Sequence, residues 1–134
     1  MQDIEIIELE NYGDTRGALF NILETDIQFL GNIQNIHFGR ICPGSIRGNH
    51  YHLQSKEILI ISYSDIWTLA WAENDSAEIS KKEFPGSGAV LIKVREGVVH
   101  SVKNTGDKNL EIIALSNRIF SRESSDTISK ILMT

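Results

Sequence analysis

PGSIRGNHYHLQSKEILIISYS, residues 43–64, places two strand-like runs on either side of a short polar interval, NHYHLQ at 49–54 and EILIISY at 57–63. On a strand, His50 and His52 are two residues apart and point to the same side of the sheet. Leu53-Gln54-Ser55-Lys56 suits a turn or bulge that brings the Glu57 carboxylate back toward that face. Downstream, REGVVHSVKN (95–104) sets His100 at the start of another strand. Together the two stretches read GxxxxxHxHxxxxE from Gly44 and GxxHxxxN ending at Asn104, a spacing that collects three of the four histidines and one glutamate. Taken alone, an HxH pair is better explained by two ordinary surface or hydrogen-bonded histidines, so the joint spacing carries the metal reading. Imidazole and carboxylate donors suit a divalent metal: zinc is the first expectation, and iron, manganese, nickel or copper fit the same donors. His37, the remaining histidine, has no such partner and reads as a pocket-wall or satisfied core residue.

Outward from this stretch, short alternating runs recur: IEIIEL (4–9), ALFNIL (18–23), NIQNIHFGRI (32–41), IWTLAWAE (66–73), ISKKEF (79–84), AVLIKV (89–94), HSVKN (100–104) and LEIIALSN (110–117). Between them lie turn-forming segments such as NYGDTRG, CPGSIRG, FPGSG and NTGDKN. Such regular spacing predicts an all-β antiparallel sandwich or closed barrel, with no helix-length window competing. The tail from Ser121 is ambiguous: SRESSDT reads as a loop, and ISKIL as a last strand or one helical turn. No linker or repeat divides the 134 residues, so one domain, 1–134, is expected with its metal-site core at about 40–117.

A formal charge of −5 offers no long-range attraction for nucleic acid or an anionic membrane, so any phosphate-bearing ligand needs local arginines. The single cysteine, Cys42, cannot form an intramolecular disulfide, and the opening Met-Gln-Asp-Ile-Glu lacks a signal-peptide pattern. Apolar runs are too short to span a bilayer. A soluble, cytoplasmic protein is therefore expected.

The two quoted stretches resemble the conserved motifs of the cupin superfamily, which implies a jelly-roll barrel with His50, His52, Glu57 and His100 as metal ligands. Ser64 stands where the first motif usually closes on glycine and Arg95 where the second usually has proline; both positions concern turns. DTRGALF (14–20) is similar to the DxRGxxF stretch of cupins acting on nucleotide-linked keto sugars, and RGNHYH (47–52) to their RGxHxH element. The chain resembles most the metal-binding C-terminal cupin domain of the capsular-polysaccharide enzymes that form UDP-N-acetyl-L-fucosamine, from Asp14 through GVVHSVKNTGD to NRIFSRESSDT. It also resembles the metal-free dTDP-4-keto-6-deoxyglucose 3,5-epimerases and 3,4-ketoisomerases. There the first histidine of RGxHxH is a base, a role that would fall to His50. The complete HxHxxxxE set with Glu57 favours the metal-binding kind.

The resemblance implies a metal-dependent epimerase or isomerase of a nucleotide-linked 4-keto-6-deoxy sugar in surface polysaccharide biosynthesis. A base must remove a weakly acidic proton beside a ketone while the developing enolate oxygen is stabilised. Arg16 and Arg47, in matched motif positions, are candidate phosphate contacts, joined by Arg40; the plain reading of each is a solvated rim with a weak ion pair. Tyr63 shares strand parity with Glu57 and is a candidate proton carrier beside His50. Trp67 and Trp71 share a face and read as core. A dioxygenase-like small-molecule cupin and a non-catalytic sugar-binding module are the competing readings. Partners expected are a nucleotide-diphosphate sugar, a separate reductase and a second copy of the chain, paired through an edge strand such as IEIIEL.

Overall fold

The computed structural model describes residues 4–119, 121 and 125–134, so Phe120 and residues 122–124 of the NRIFSRESSDT stretch lie outside the described residues. Ten strands are described: β1 (Ile4–Glu8), β2 (Asn35–Ile41), β3 (Ile46–His52), β4 (Glu57–Tyr63), β5 (Trp67–Glu73), β6 (Ser80–Phe84), β7 (Gly88–Val94), β8 (Val98–Lys103), β9 (Leu110–Ser116) and β10 (Thr127–Ser129). One helical turn, α1 (Glu24–Ile27), runs into a 3-10 turn over Gln28–Leu30. All pairings between these strands are antiparallel, in two five-stranded sheets ordered β1-β7-β4-β9-β2 and β10-β3-β8-β5-β6. Setting aside the flanking β1 and β10, the order 7-4-9-2 opposite 3-8-5-6 is the double Greek key of a jelly roll, the expected all-β barrel. No helix among the described residues is long and apolar enough to cross a membrane.

Alternation explains the packing. Leu59 and Ile61 of β4 face the barrel interior with Trp67 and Leu69 of β5, Val90 and Ile92 of β7 and Val102 of β8. The intervening Ile58 and Ile60 are also buried, because Leu30, Ile27 and Phe29 cover the outer face of that sheet. On the other sheet, Ala70, Ala72 and Val99 are covered by Leu132 and Met133 of the tail. Strands whose run is continuously apolar are therefore those buried on both faces.

Two sequence expectations change. ALFNIL is not a strand: Phe20 makes only an isolated bridge to Asn11, and Tyr12 N–H donates to Leu19 O at 2.7 Å to close a loop before α1. β3 begins at Ile46, three residues before the expected start, since Gly48 and Asn49 form a β-bulge inside the strand and not the end of a turn. Trp67 is fully buried, stacked on Phe84 at a centroid distance of 4.3 Å.

Candidate metal centre

The bulge decides what β3 presents inward. Arg47 pairs with Val102, Gly48 with Ser101 and His50 with His100, so two residues of β3 oppose one of β8 and Asn49 is the extra residue. Arg47 and His50, three apart, thereby share the inner face, where a regular strand would set them on opposite faces. Asn49 is the one non-glycine residue at positive φ, 57°, among the described residues, and Gly48 has φ 98°. A side chain on Gly48 would bring its Cβ to 2.6 Å from His100 O, so glycine is needed here on both counts.

His50 and His52 from β3, Glu57 from the start of β4 and His100 from β8 converge, with one donor atom from each lying within 4.8 Å of all the others. Ring centroids are 5.0 Å apart for His50 and His52, 4.8 Å for His50 and His100, and 5.7 Å for His52 and His100. His100 Nδ1 lies 3.2 Å from Val98 O, and since a carbonyl only accepts, that nitrogen carries a proton. In the neutral ring, Nε2 then directs a lone pair at Glu57 Oε1, 3.1 Å away. His52 Nε2, 3.6 Å from Glu57 Oε2, is buried without a hydrogen-bond partner among the described residues. Imidazole nitrogens and a carboxylate facing one another in a buried cluster are balanced by a proton or by a cation, and this donor set fits a divalent metal.

Without a bound ion, the rings and the carboxylate set one another's protonation. Burial, reinforced by the His100 and His52 rings, pushes His50 down to about 4. Burial pushes the Glu57 carboxyl up, but the His100 and His52 rings beside it outweigh this and hold it well below the usual range. For His52 burial works downward, while Glu57 and Asp126 outweigh it and raise the ring. A neutral His50 beside an ionised Glu57 is the protonation state that metal donors require.

The cluster lies in an open cavity of about 680 Å³. Its wall includes Arg40, Arg47 and Arg118 together with Leu59, Val102 and Ile112. Arg40 is exposed and 3.4 Å from Glu111; Arg47 makes no ion pair among the described residues. His37 lines the same cavity. Arg16 is not among the lining residues: it is solvent-exposed and held on Asp14 at 2.5 Å, because DTRG forms a local turn that closes on its own carboxylate. Tyr63 is likewise outside. Its parity with Glu57 holds, but six residues of strand separate them by roughly 20 Å, and its ring packs on Trp67 and Phe84 at the far end of the interior. Tyr63 is thus a packing residue, and its phenol is pushed up by burial.

Arg118, Asp126 and Thr127 are site neighbours that the motifs did not single out, although all three lie within the tail stretch NRIFSRESSDT. Asn104, the last residue of the second motif, is no ligand. It is fully buried and its amide donates to Ile41 O and Lys108 O, tying the end of β8 to β2.

Among solved structures, the capsular polysaccharide assembling protein CapF of Staphylococcus aureus superposes with a TM-score of 0.64 at 20% identity, covering 91% of this chain and 34% of its own. A 3,4-ketoisomerase from Helicobacter canadensis gives 0.71 at 14% identity, over 96% of this chain and 91% of its own. The dTDP-6-deoxy-D-glucose-3,5-epimerase RmlC of Legionella pneumophila gives 0.73 at 17% identity, over 96% and 73%. These likenesses establish the cupin fold, and the chain spans about a third of the length of CapF. No curated protein matches in sequence. The family defined by the polysaccharide biosynthesis C-terminal domain matches residues 12–128, from the hairpin before α1 to the last strand, and the chain belongs to that family.

Proposed function

We propose that this chain is a metal-dependent epimerase or isomerase of a nucleotide-linked 4-keto-6-deoxy sugar, acting in surface polysaccharide biosynthesis. The observation that carries the reading is the convergence of His50, His52, Glu57 and His100 in a cavity whose wall also holds Arg40, Arg47 and Arg118. Similarity to CapF, to a 3,4-ketoisomerase and to a 3,5-epimerase supports the substrate class.

His52, Glu57 and His100, with His50 as a fourth donor, would hold a divalent ion, zinc first and iron, manganese or nickel as alternatives, which would supply Lewis acidity at a ketone oxygen. Arg47, inward-facing and without an ion pair among the described residues, is suited to grip a diphosphate through paired N–H donors, with Arg40 and Arg118 at the same wall. Leu59, Val102 and Ile112 give the sugar an apolar surface and exclude water. The neutral His50 ring has one lone pair, so it takes the proton from the carbon beside the ketone when the ion rests on His52, Glu57 and His100, and is otherwise the fourth metal donor. Burial keeps it neutral, and it has no hydrogen-bond partner among the described residues. Return of the proton to the opposite face of that carbon inverts it, and return to the neighbouring carbon isomerises the sugar.

The test is metal analysis of purified protein, followed by incubation with nucleotide 4-keto-6-deoxy sugars in deuterated water. Stoichiometric metal and deuterium uptake beside the ketone, lost in His50→Asn, are expected. Protein that binds no metal and exchanges no deuterium would refute the reading.

A further inference from the structure

The last strand of the chain returns to the metal cluster. β10 pairs with β3 in the register Thr127 to His52, Ile128 to Tyr51 and Ser129 to His50, so the Thr127 side chain stands beside the His52 ring. Thr127 Oγ1 is 3.1 Å from His52 Nδ1, and Asp126 Oδ1 is 3.7 Å from the same nitrogen. The Asp126 carboxylate is fixed from behind: Oδ2 accepts from Gln54 N–H at 3.0 Å, Ser55 N–H at 2.9 Å and the Ser55 hydroxyl at 2.8 Å. Asp126 O also accepts from Leu53 N–H at 3.1 Å. The turn that delivers Glu57 therefore also anchors Asp126.

A carboxylate offers lone pairs only, and a hydroxyl beside it can accept as readily as donate, so both neighbours of Nδ1 are satisfied by a proton on that nitrogen. Nε2 is then left with its lone pair facing Glu57 and the other two rings. We propose that Asp126 and Thr127 are positioning residues that hold His52 in the Nδ1-protonated tautomer and so present Nε2 as a metal donor. The inference rests on the metal reading of the cluster but concerns side chains whose state can be read without metal.

Long-range proton–nitrogen spectra of metal-free, nitrogen-15-labelled protein, recorded at a pH high enough to leave the His52 ring neutral, report which ring nitrogen of His52 is protonated. The Nδ1-protonated form is expected in the parent. Asp126→Asn can keep its amide oxygen on Gln54 and Ser55 while turning an N–H toward the ring, which should drive His52 toward the opposite tautomer. Thr127→Val should shift it in the same direction, and Thr127→Ser should restore the parent spectrum. Zinc competition against a chelator should show roughly 10- to 100-fold weaker binding in Asp126→Asn, the range for losing such an outer partner. An unchanged His52 tautomer in both Asp126→Asn and Thr127→Val overturns the assignment. A parent that takes up none of zinc, iron, manganese or nickel, with the tautomer still shifting in the variants, upholds the tautomer assignment and overturns the metal reading instead.

Discussion

His50 differs from its two companions in what holds it. His100 is fixed by Val98 O and His52 by Thr127, each through Nδ1, whereas His50 has no hydrogen-bond partner among the described residues. Burial keeps it neutral, with its ring brought from 6.5 down to about 4. Between those values the unfolded chain binds the proton and the folded chain does not, so acidification favours unfolding. His50's contribution to metal-free stability is therefore complete above pH 6.5 and declines as the pH falls toward 4. His52, raised, runs the other way: its contribution is complete below its ordinary value and is lost as the pH rises through its folded one. Urea unfolding of the metal-free parent and of His50→Gln separates the two. The parent's stability relative to the variant should fall by roughly 1–2 kcal/mol between pH 7.5 and pH 5.

At the scale of elements, β3 concentrates the constraints. Gly48→Ala must adopt positive φ and meet His100 O, so a loss on the order of 2–3 kcal/mol is expected in chemical denaturation. On the outer side of the same sheet, Asn49 bonds the tail: its amide N–H donates to Met133 O at 3.0 Å and its Oδ1 accepts from Leu132 N–H at 2.9 Å. Leu132→Ala should cost about 2–5 kcal/mol, since its side chain is buried against the sheet's outer layer. Sequence made parts of this element readable and hid others. HYH was legible because strand period fixes the side on which two histidines lie, whatever the rest of the fold does. The start of β3 was not, since Arg-Gly-Asn has the composition of a turn and only pairing with β8 shows it to be a bulge. Parity placed Tyr63 on the correct face but carried no information on reach. Asp126 stands 71 residues from Ser55, and no local pattern announces a contact of that span.

For the whole molecule, an antiparallel sandwich or barrel was legible from evenly spaced strands and turns and the jelly roll only from the resemblance to cupins, while the covering layers were not legible: α1 with its 3-10 turn, and the tail, are too short to leave a periodic signal. The barrel that results has unlike ends. Tyr63, Trp67 and Phe84 pack one end, and the histidine–glutamate cluster sits in an open cavity lined at its rim by charged side chains. Four donors from three strands of two sheets mean that an ion bound there would join the sheets to each other and favour the folded chain. Zinc at 100 times its dissociation constant should therefore raise unfolding free energy by about 2.7 kcal/mol, and a chelator should reverse it. Calorimetry of His100→Ala should show no such gain.

The bulge at Gly48 and Asn49 also bears on how this stretch of gene tolerates change in length. Losing the Asn49 codon would leave Gly48 opposite Ser101 and His50 opposite His100, so the inward series of Arg47, His50 and His52 would keep its facing and only the tie to the tail would go. Losing the Tyr51 codon two positions on would make the two histidines neighbours and turn one of them outward. A lineage can thus drop or regain one residue at this point without dismantling the pocket, and at the next inward step it cannot.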